Sequence, residues 1–418
     1  MPLRQGFYYN LKADLRRYAE VILKIGINLQ PGEYLLISAL TFQRDLVCAL
    51  TEKAYHLGAS FVDVVFQDES LMASQIQSAP VEALTTLPPG IKASYERLLE
   101  KKGAYLSLSG CEDPHLSKGL PPGRQTQLML SRSKALEFFY QYLYQQKIKW
   151  CVASTASLKR ACLVFPKHQP LQAYRLLWKN IFAICGLYTH DPLSFWQSKL
   201  RLIEERKKLL NQFKINKLFF QSPSCEFELE LVENARWCGG LSYTDEGQSF
   251  LANLPTEEIF TVPCFTKVNG FLETTRPLLY KSLFINKVRL IFSEGILKQV
   301  DGSSGIEELK NLLAQEPRLA RLGEIALLDQ TTRLAQSNLL FYDLLYDENT
   351  SCHLALGAAY SECLEGSSNL TATERLAIGF NECPLHIDLM FGSSLLNVTA
   401  ELKTGELKPL IVKGRFKI

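Results

Sequence analysis

Along the first half of the chain, apolar positions at helical spacing alternate with short continuous apolar runs. Leu15, Tyr18, Ala19 and Ile22 lie three or four residues apart, and Gly26 follows where such a helix would stop. Pro31-Gly32 signals a turn into the short apolar run Tyr34-Leu35-Leu36-Ile37, which reads as a strand. Leu46, Ala49, Leu50, Ala54 and Leu57 restore the helical period up to Gly58. The run Phe61-Val62-Asp63-Val64-Val65-Phe66, rich in β-branched residues, comes next. Strand, helix and strand in that order form the unit of a parallel sheet. Residues 104–108 and 149–153 predict two further strands between helical patterns. Residues 1–212 are therefore expected to form an open α/β domain, with Asp68-Glu69 just past the carboxyl end of a strand.

An amphipathic pattern over residues 194–213 predicts a long helix, and the period then changes from helical to two. Phe227, Leu229 and Leu231 alternate with Glu226, Glu228 and Glu230, the mark of a half-buried strand. Val288, Leu290 and Phe292 alternate up to Glu294-Gly295, and residues 296–300 read as the returning arm of a hairpin. Phe284-Ile285 and Leu410-Ile411-Val412 add strand. Helices are expected near 306–319 and 352–360, and Gly366-Ser367-Ser368-Asn369 reads as a loop. The expected fold is α+β in two domains: 1–212 with a parallel sheet, and 213–418 mainly antiparallel β.

Composition narrows the function classes. The 418 residues carry a net charge of only +3 and are 21% charged, which leaves no concentrated basic face for nucleic acid. Residues 201–208 are rich in charge but of both signs, and read as the solvated face of a helix. Residues 1–5 lack the apolar core of a signal peptide, and no run of about 18 apolar residues is long enough to cross a membrane. The eleven cysteines are scattered without a Cys-x-x-Cys pair, which fits reduced thiols in a cytoplasm. The phosphate-binding glycine motifs are absent, and Gly302-Ser303-Ser304-Gly305 reads as a turn.

The candidate chemistry concentrates in the second half. From Cys352 the pattern reads as a helix, with Leu354 and Ala358 or Ala359 on one side. His353 and Tyr360, two helical turns apart, would then share a face. If His386-Ile387-Asp388 lies in a strand, His386 and Asp388 point to the same side. Burying both without a partner or a metal would be expensive. Glu348 lies just before His353. Glu258 and Glu324 complete a set of four carboxylates and two imidazoles, which suits two divalent ions better than one closed structural zinc. Blander readings stand beside these. Glu324 also reads as a surface glutamate of a helix, Tyr360 as core packing, and one of Glu257 and Glu258 as a surface residue. Cys352, Cys363 and Cys383 with His353 and His386 form a rival zinc site, without the usual tight cysteine spacing.

Several motifs fall in one ordered series. They are Asn253-Leu254-Pro255-Thr256-Glu257-Glu258-Ile259-Phe260-Thr261, Thr275-Arg276-Pro277-Leu278 and Arg321-Leu322-Gly323-Glu324-Ile325-Ala326-Leu327. Leu340-Phe341-Tyr342, Asp347-Glu348-Asn349, Cys352-His353-Leu354-Ala355-Leu356-Gly357, Tyr360 and His386-Ile387-Asp388 continue it. Together they resemble the aminopeptidase T and aminopeptidase S family of dinuclear metallo-exopeptidases. Gly26-Ile27-Asn28-Leu29-Gln30-Pro31-Gly32 and Trp237-Cys238-Gly239-Gly240 extend the likeness over nearly the whole chain. The resemblance implies metal ligands at Glu258, Glu324, Glu348, His353, His386 and Asp388, holding two divalent ions (zinc, cobalt or manganese). It implies Tyr360 as an active-site phenol, and the mechanism expected from it makes Glu324 the bridging carboxylate and Glu348 a proton shuttle. A barrel-like second domain would carry the site, and the first would supply a lid and the contacts of a homodimer. The implied activity is removal of N-terminal residues from short peptides. Cys264-Phe265 and Ser222-Pro223-Ser224-Cys225 depart from the expected loops and bear on substrate preference. A different metal-dependent amidase or esterase, and a peptide-binding homologue without turnover, are the neighbouring readings.

Overall fold

The expected first helix forms as Leu11–Val21 and runs on through a wider turn, Ile22–Gly26. It buries Leu15, Tyr18, Ala19 and Val21, the stripe that its apolar spacing requires. This computed structural model describes residues 11–116, 119–280 and 283–418, so the reading of residues 1–5 lies outside the described residues. The chain divides into two compact units, Met1–Gln197 with Ser242–Leu254, and Ser198–Leu241 with Pro255–Ile418. The division falls inside the helix Pro192–Gln212, not at its end near residue 212, and residues 242–254 return to the first unit. A change of period marks where a helix ends, but carries no sign of which neighbours its two ends touch.

The first unit is built on a five-stranded sheet with the order Phe61–Gln67, Tyr34–Leu40, Ala104–Ser109, Trp150–Ser154, Asn253–Leu254. Every neighbouring pair is parallel. Leu36, Val65, Tyr95, Leu98 and Phe139 pack into one of its clusters. In such sheets the carboxyl ends of adjacent strands often hold ligands. Here Gln43 Nε2 donates to Leu108 O (3.3 Å), Ser109 O (3.0 Å) and Thr155 Oγ1 (2.8 Å), tying the strand ends together. Asp68 caps the helix Glu69–Ser78 by accepting from the backbone N–H of Ser70 and Leu71.

Besides the two-stranded ladder of Leu278–Tyr280 with Leu283–Ile285, the second unit carries two larger antiparallel sheets. The larger has eight strands in the order Ile296–Asp301, Arg289–Ser293, Pro263–Glu273, Cys225–Leu231, Ile215–Ser222, Asn397–Leu402, Leu407–Val412, Arg415–Phe416. The expected hairpin of 288–300 is its first pair. The smaller has four: Ile259–Thr261, Leu322–Leu327, His353–Gly357 and His386–Met390. Phe220, Phe227, Leu354, Leu356, Ile387, Leu389 and Phe391 share one core cluster fed by both sheets. Phe220 and Phe227 stack at 4.4 Å, and Phe391 meets Phe227 edge-on at 5.2 Å. Burying each such ring stabilises the unit by roughly 1.5–3 kcal/mol.

Two expectations about this half are corrected. Residues 352–360 form no helix: His353–Gly357 is an inner strand with every residue buried. Leu322–Leu327, which carries Glu324, is likewise a fully buried strand rather than a helix surface. A strand buried on both faces reads as a continuous apolar run, and over so few residues its pattern matches a buried helix equally well. The expected helix near 306–319 forms as Ile306–Gln315 with a tighter turn, Pro317–Ala320. The charged stretch 201–208 is only partly solvated, because Arg206 reaches inward to Asp329 at 3.4 Å.

Candidate metal centre

The four-stranded sheet has a core face and a chemical face, and strand registry decides which residue goes where. His353–Gly357 and His386–Met390 pair antiparallel with Leu354 opposite Leu389, Leu356 opposite Ile387, Ala355 opposite Asp388 and Gly357 opposite His386. Leu354, Leu356, Ile387 and Leu389 enter the core. Side chains alternate along a strand, so His353, His386 and Asp388 share the other face.

Glu324 reaches that face because its strand slips. Leu322 sits opposite Leu356, but Glu324 sits opposite Ala355, so the register shifts between them. An unbroken register would place Glu324 opposite Leu354, on the core face. The extra residue is Gly323, where an added Cβ would lie 2.1 Å from Ala358 O and 2.4 Å from Gly357 O. The bulge thus needs glycine and re-aims a carboxylate, a common use of bulges beside functional sites. Glu258 arrives from the loop before Ile259–Thr261, across an edge where Gly239 (φ +128°) packs against the Glu258 carbonyl.

The donor atoms converge. Glu258, Glu324 and His353 offer atoms within 4.8 Å of one another, and so do Glu324, His386 and Asp388. His353 Nε2 lies 3.3 Å from Glu258 Oε2 and 3.4 Å from Glu324 Oε1. His386 Nε2 lies 3.0 Å from Asp388 Oδ1 and 3.8 Å from Glu324 Oε2. Each imidazole is held from behind: His353 Nδ1 contacts Ser351 O (3.2 Å) and His386 Nδ1 contacts Ala358 O (2.8 Å). A carbonyl can only accept, so both Nδ1 atoms carry the proton and both Nε2 atoms face the carboxylates. This is the tautomer and orientation a metal-ligating histidine needs.

Electrostatics record the crowding of like charges. Burial pushes Glu258 up, against the pull of His353, and Glu324 and Asp388 add to the rise, which reaches about 7. Burial, then Asp388 and Glu258, hold Glu348 well above the usual carboxylate range. Burial also opposes the charged imidazoles, but the surrounding carboxylates outweigh it and raise His353 to about 10 and His386 to about 9. For Asp388 burial is again the largest influence, and His386 outweighs it, leaving the carboxyl below its ordinary value. Four carboxylates thus share a buried space with two imidazoles, an arrangement that cations would neutralise and that is costly without them.

Glu348 lies outside the two groups of converging atoms, at the end of Leu344–Glu348, yet it feels the charges of Asp388, Glu258, His353 and Glu324. The Tyr360 ring lies 4.9 Å from that of His386. The strand followed by a turn, not two helical turns, brings it there. Among the described residues, no group suited to a metal includes a cysteine, so the rival cysteine set is not assembled. Cys352 Sγ instead contacts the Leu328 amide and carbonyl.

Sequence reading assigned no role to three residues of the surroundings. Asn349 is fully buried, accepts the Glu257 N–H (2.8 Å), and contacts Glu348 Oε1 (3.4 Å), joining the loop that delivers Glu258 to the helix end that delivers Glu348. Asp347 accepts from the amides of Phe341 (2.8 Å) and Asp343 (3.1 Å) and so shapes the turn before Glu348. Lys199 forms a partly buried ion pair with Glu257, and both Glu257 and Glu258 are buried. The only signal for Asn349 and Asp347 was their adjacency to Glu348. Lys199 gave none beyond its place on an amphipathic helix.

The profile of the thermophilic metalloprotease (M29) family matches residues 11–416. Aminopeptidase PepS of Streptococcus thermophilus is 32% identical over 410 residues, 98% of this chain and 99% of its own. Aminopeptidase AmpS of Bacillus subtilis is 32% identical, covering 96% and 98%. The solved structure of wild-type AmpT from Thermus thermophilus superposes with a TM-score of 0.91 at 30% identity, over 98% of this chain and 100% of that one. The match spans both units and every residue of the carboxylate–imidazole cluster, and the chain belongs to the thermophilic metalloprotease (M29) family.

Proposed function

We propose that this chain is a metal-dependent aminopeptidase that removes N-terminal residues from short peptides. Two divalent cations, zinc, cobalt or manganese, are held by Glu258, Glu324, Glu348, His353, His386 and Asp388. The observation that carries this reading is Glu324, whose Oε1 faces His353 and whose Oε2 faces His386. One carboxylate with an oxygen in each donor group is suited to bridging two ions. Charge agrees: four carboxylates and two neutral imidazoles balance two divalent cations. Oxygen and nitrogen donors without thiolate suit any of the three metals.

When bound, such cations supply Lewis acidity for a carbonyl and a nucleophile at neutral pH. Glu348, kept protonatable by burial and by its neighbouring carboxylates, takes a proton at its carboxyl and passes it to the departing amine. Tyr360 donates its phenol O–H to the oxyanion that develops on the scissile carbonyl, a role worth about 3 kcal/mol. The anionic set also recognises the free α-amine of the peptide, which confines cleavage to the amino end. On this reading the two antiparallel sheets form a barrel-like catalytic domain, and the protein is a cytoplasmic homodimer. The eleven scattered cysteines suit a reducing compartment, and no helix among the described residues is long and apolar enough to cross a membrane.

Metal stoichiometry tests the reading directly. Titration of metal-stripped protein with zinc is expected to fill two sites per chain, and Glu324→Gln to leave at most one at comparable affinity. Two undiminished sites in Glu324→Gln would overturn the bridging assignment.

A further inference from the structure

A cavity of about 860 Å³ in the second unit lies among residues 275–277, 330–340, 392–394 and 412–417. Its walls carry four cations, Arg276, Lys413, Arg415 and Lys417, and no carboxylate. The chain as a whole has 46 basic against 43 acidic residues, so this wall is a local concentration of one sign. Asp329, beside the lining residue Gln330, is already engaged: it pairs with Arg206 (3.4 Å) and accepts from the Thr331 N–H and hydroxyl and from the Phe416 N–H (3.4 Å). Lys413, Arg415 and Lys417 make no ion pair among the described residues.

Two further observations set this wall apart from an ordinary solvated surface. Arg276 is half-buried, and its Nη1 donates to Leu339 O (2.8 Å) with no ion pair; burial disfavours its charge and the nearby Asp347 offsets this only in part, so a guanidinium is drawn partly out of water with its counter-charge at a distance. Lys413 occupies the tip of the hairpin between Leu407–Val412 and Arg415–Phe416 at φ +49°, followed by Gly414 at φ +72°. Asn or Gly is the usual choice at that position, and here the chain places a lysine that lines the cavity.

We propose that this cavity binds a small molecule carrying a pyrophosphate or similar polyphosphate group. Its volume is that of a small-molecule site. Four cations on one lining match the three to four charges of a pyrophosphate, whereas one orthophosphate would leave half of them unneutralised. Arginine forks pair two-to-two with phosphate oxygens, and a concave wall focuses the field of its cations. The cavity is built from residues other than those of the proposed metal centre, so the proposal stands whether or not that centre performs peptide hydrolysis.

The test is calorimetric titration of the full-length, metal-loaded protein with inorganic pyrophosphate at low ionic strength, with orthophosphate alongside. The expected result is saturable one-site binding, at least tenfold tighter than orthophosphate. Lys413→Ala/Arg415→Ala should weaken it at least tenfold while leaving metal content and basal activity unchanged. Lys417→Glu, a single exposed change on the same wall, should weaken it as well and serves if the double variant folds poorly. Absence of saturable binding, or equal affinity for orthophosphate, would overturn the proposal. So would undiminished binding in both variants, which would place the anion at the metal centre instead.

Discussion

His353 and His386 each give their Nδ1 proton to a backbone carbonyl and aim Nε2 at carboxylates. Without metal these rings are held charged, with pKa values raised to about 10 and about 9. A metal can bind only the neutral ring, so both protons must leave when ions enter. The sign follows: metal affinity is expected to rise with pH up to about 9–10, and binding near pH 7.5 to release protons to solvent. Calorimetry in two buffers of different ionisation enthalpy measures that release, and a buffer-independent heat would contradict the site's electrostatics. Tyr360 belongs to the same scale. Tyr360→Phe is expected to lower kcat about 100-fold, the size of one lost oxyanion donor, with metal content unchanged. Full turnover in that variant would remove the phenol from the mechanism.

At the scale of the element, the bulge at Gly323 is the feature that brings a carboxylate of a core strand to the chemical face. A methyl group there would collide with backbone oxygens at 2.1 and 2.4 Å, which cannot swing aside as a side chain can. Gly323→Ala is expected to destabilise the protein by about 1–3 kcal/mol, the usual cost of overpacking. It should also weaken metal binding, because relief of the clash moves Glu324. Urea unfolding and zinc titration read the two effects. An unaltered zinc affinity would mean that the bulge does not aim Glu324. The same strand shows where sequence reading runs out. His386 and Asp388 were legible as neighbours because a period of two on a single strand suffices. Glu324 was not placed on the chemical face by any pattern, since one inserted residue reverses the parity of everything before it. Residues 353–357 misled for another reason: every position is buried, so the alternation that reveals a half-exposed strand such as 225–231 was missing.

For the molecule as a whole, the parallel and antiparallel layers were legible from the change of period near residue 212, but the division within Pro192–Gln212 and the return of 242–254 were not. Those depend on packing between residues far apart in sequence, which local periodicity does not encode. The second unit buries its acidic cluster in a sheet whose opposite face is the hydrophobic core, so ion binding and folding are linked. At free metal about 100 times the dissociation constant, binding adds about 2.7 kcal/mol of stability. For a unit of this size that corresponds to roughly 5–10 °C in Tm. Chelation is expected to lower Tm by that amount and metal to restore it, as followed by scanning calorimetry. A Tm indifferent to chelation would mean that no cation stabilises the cluster.

The central claim is that a metal centre on the four-stranded sheet cleaves peptides from a free amino end. It is tested most directly by giving metal-stripped protein a panel of dipeptides and amino-acid amides, each with a free and an acetylated amine, before and after zinc, cobalt or manganese is added. The expected result is no cleavage without metal and restored cleavage of the free-amine substrates alone. Equal cleavage of the acetylated substrates, or none with any ion despite two bound metals, would contradict it.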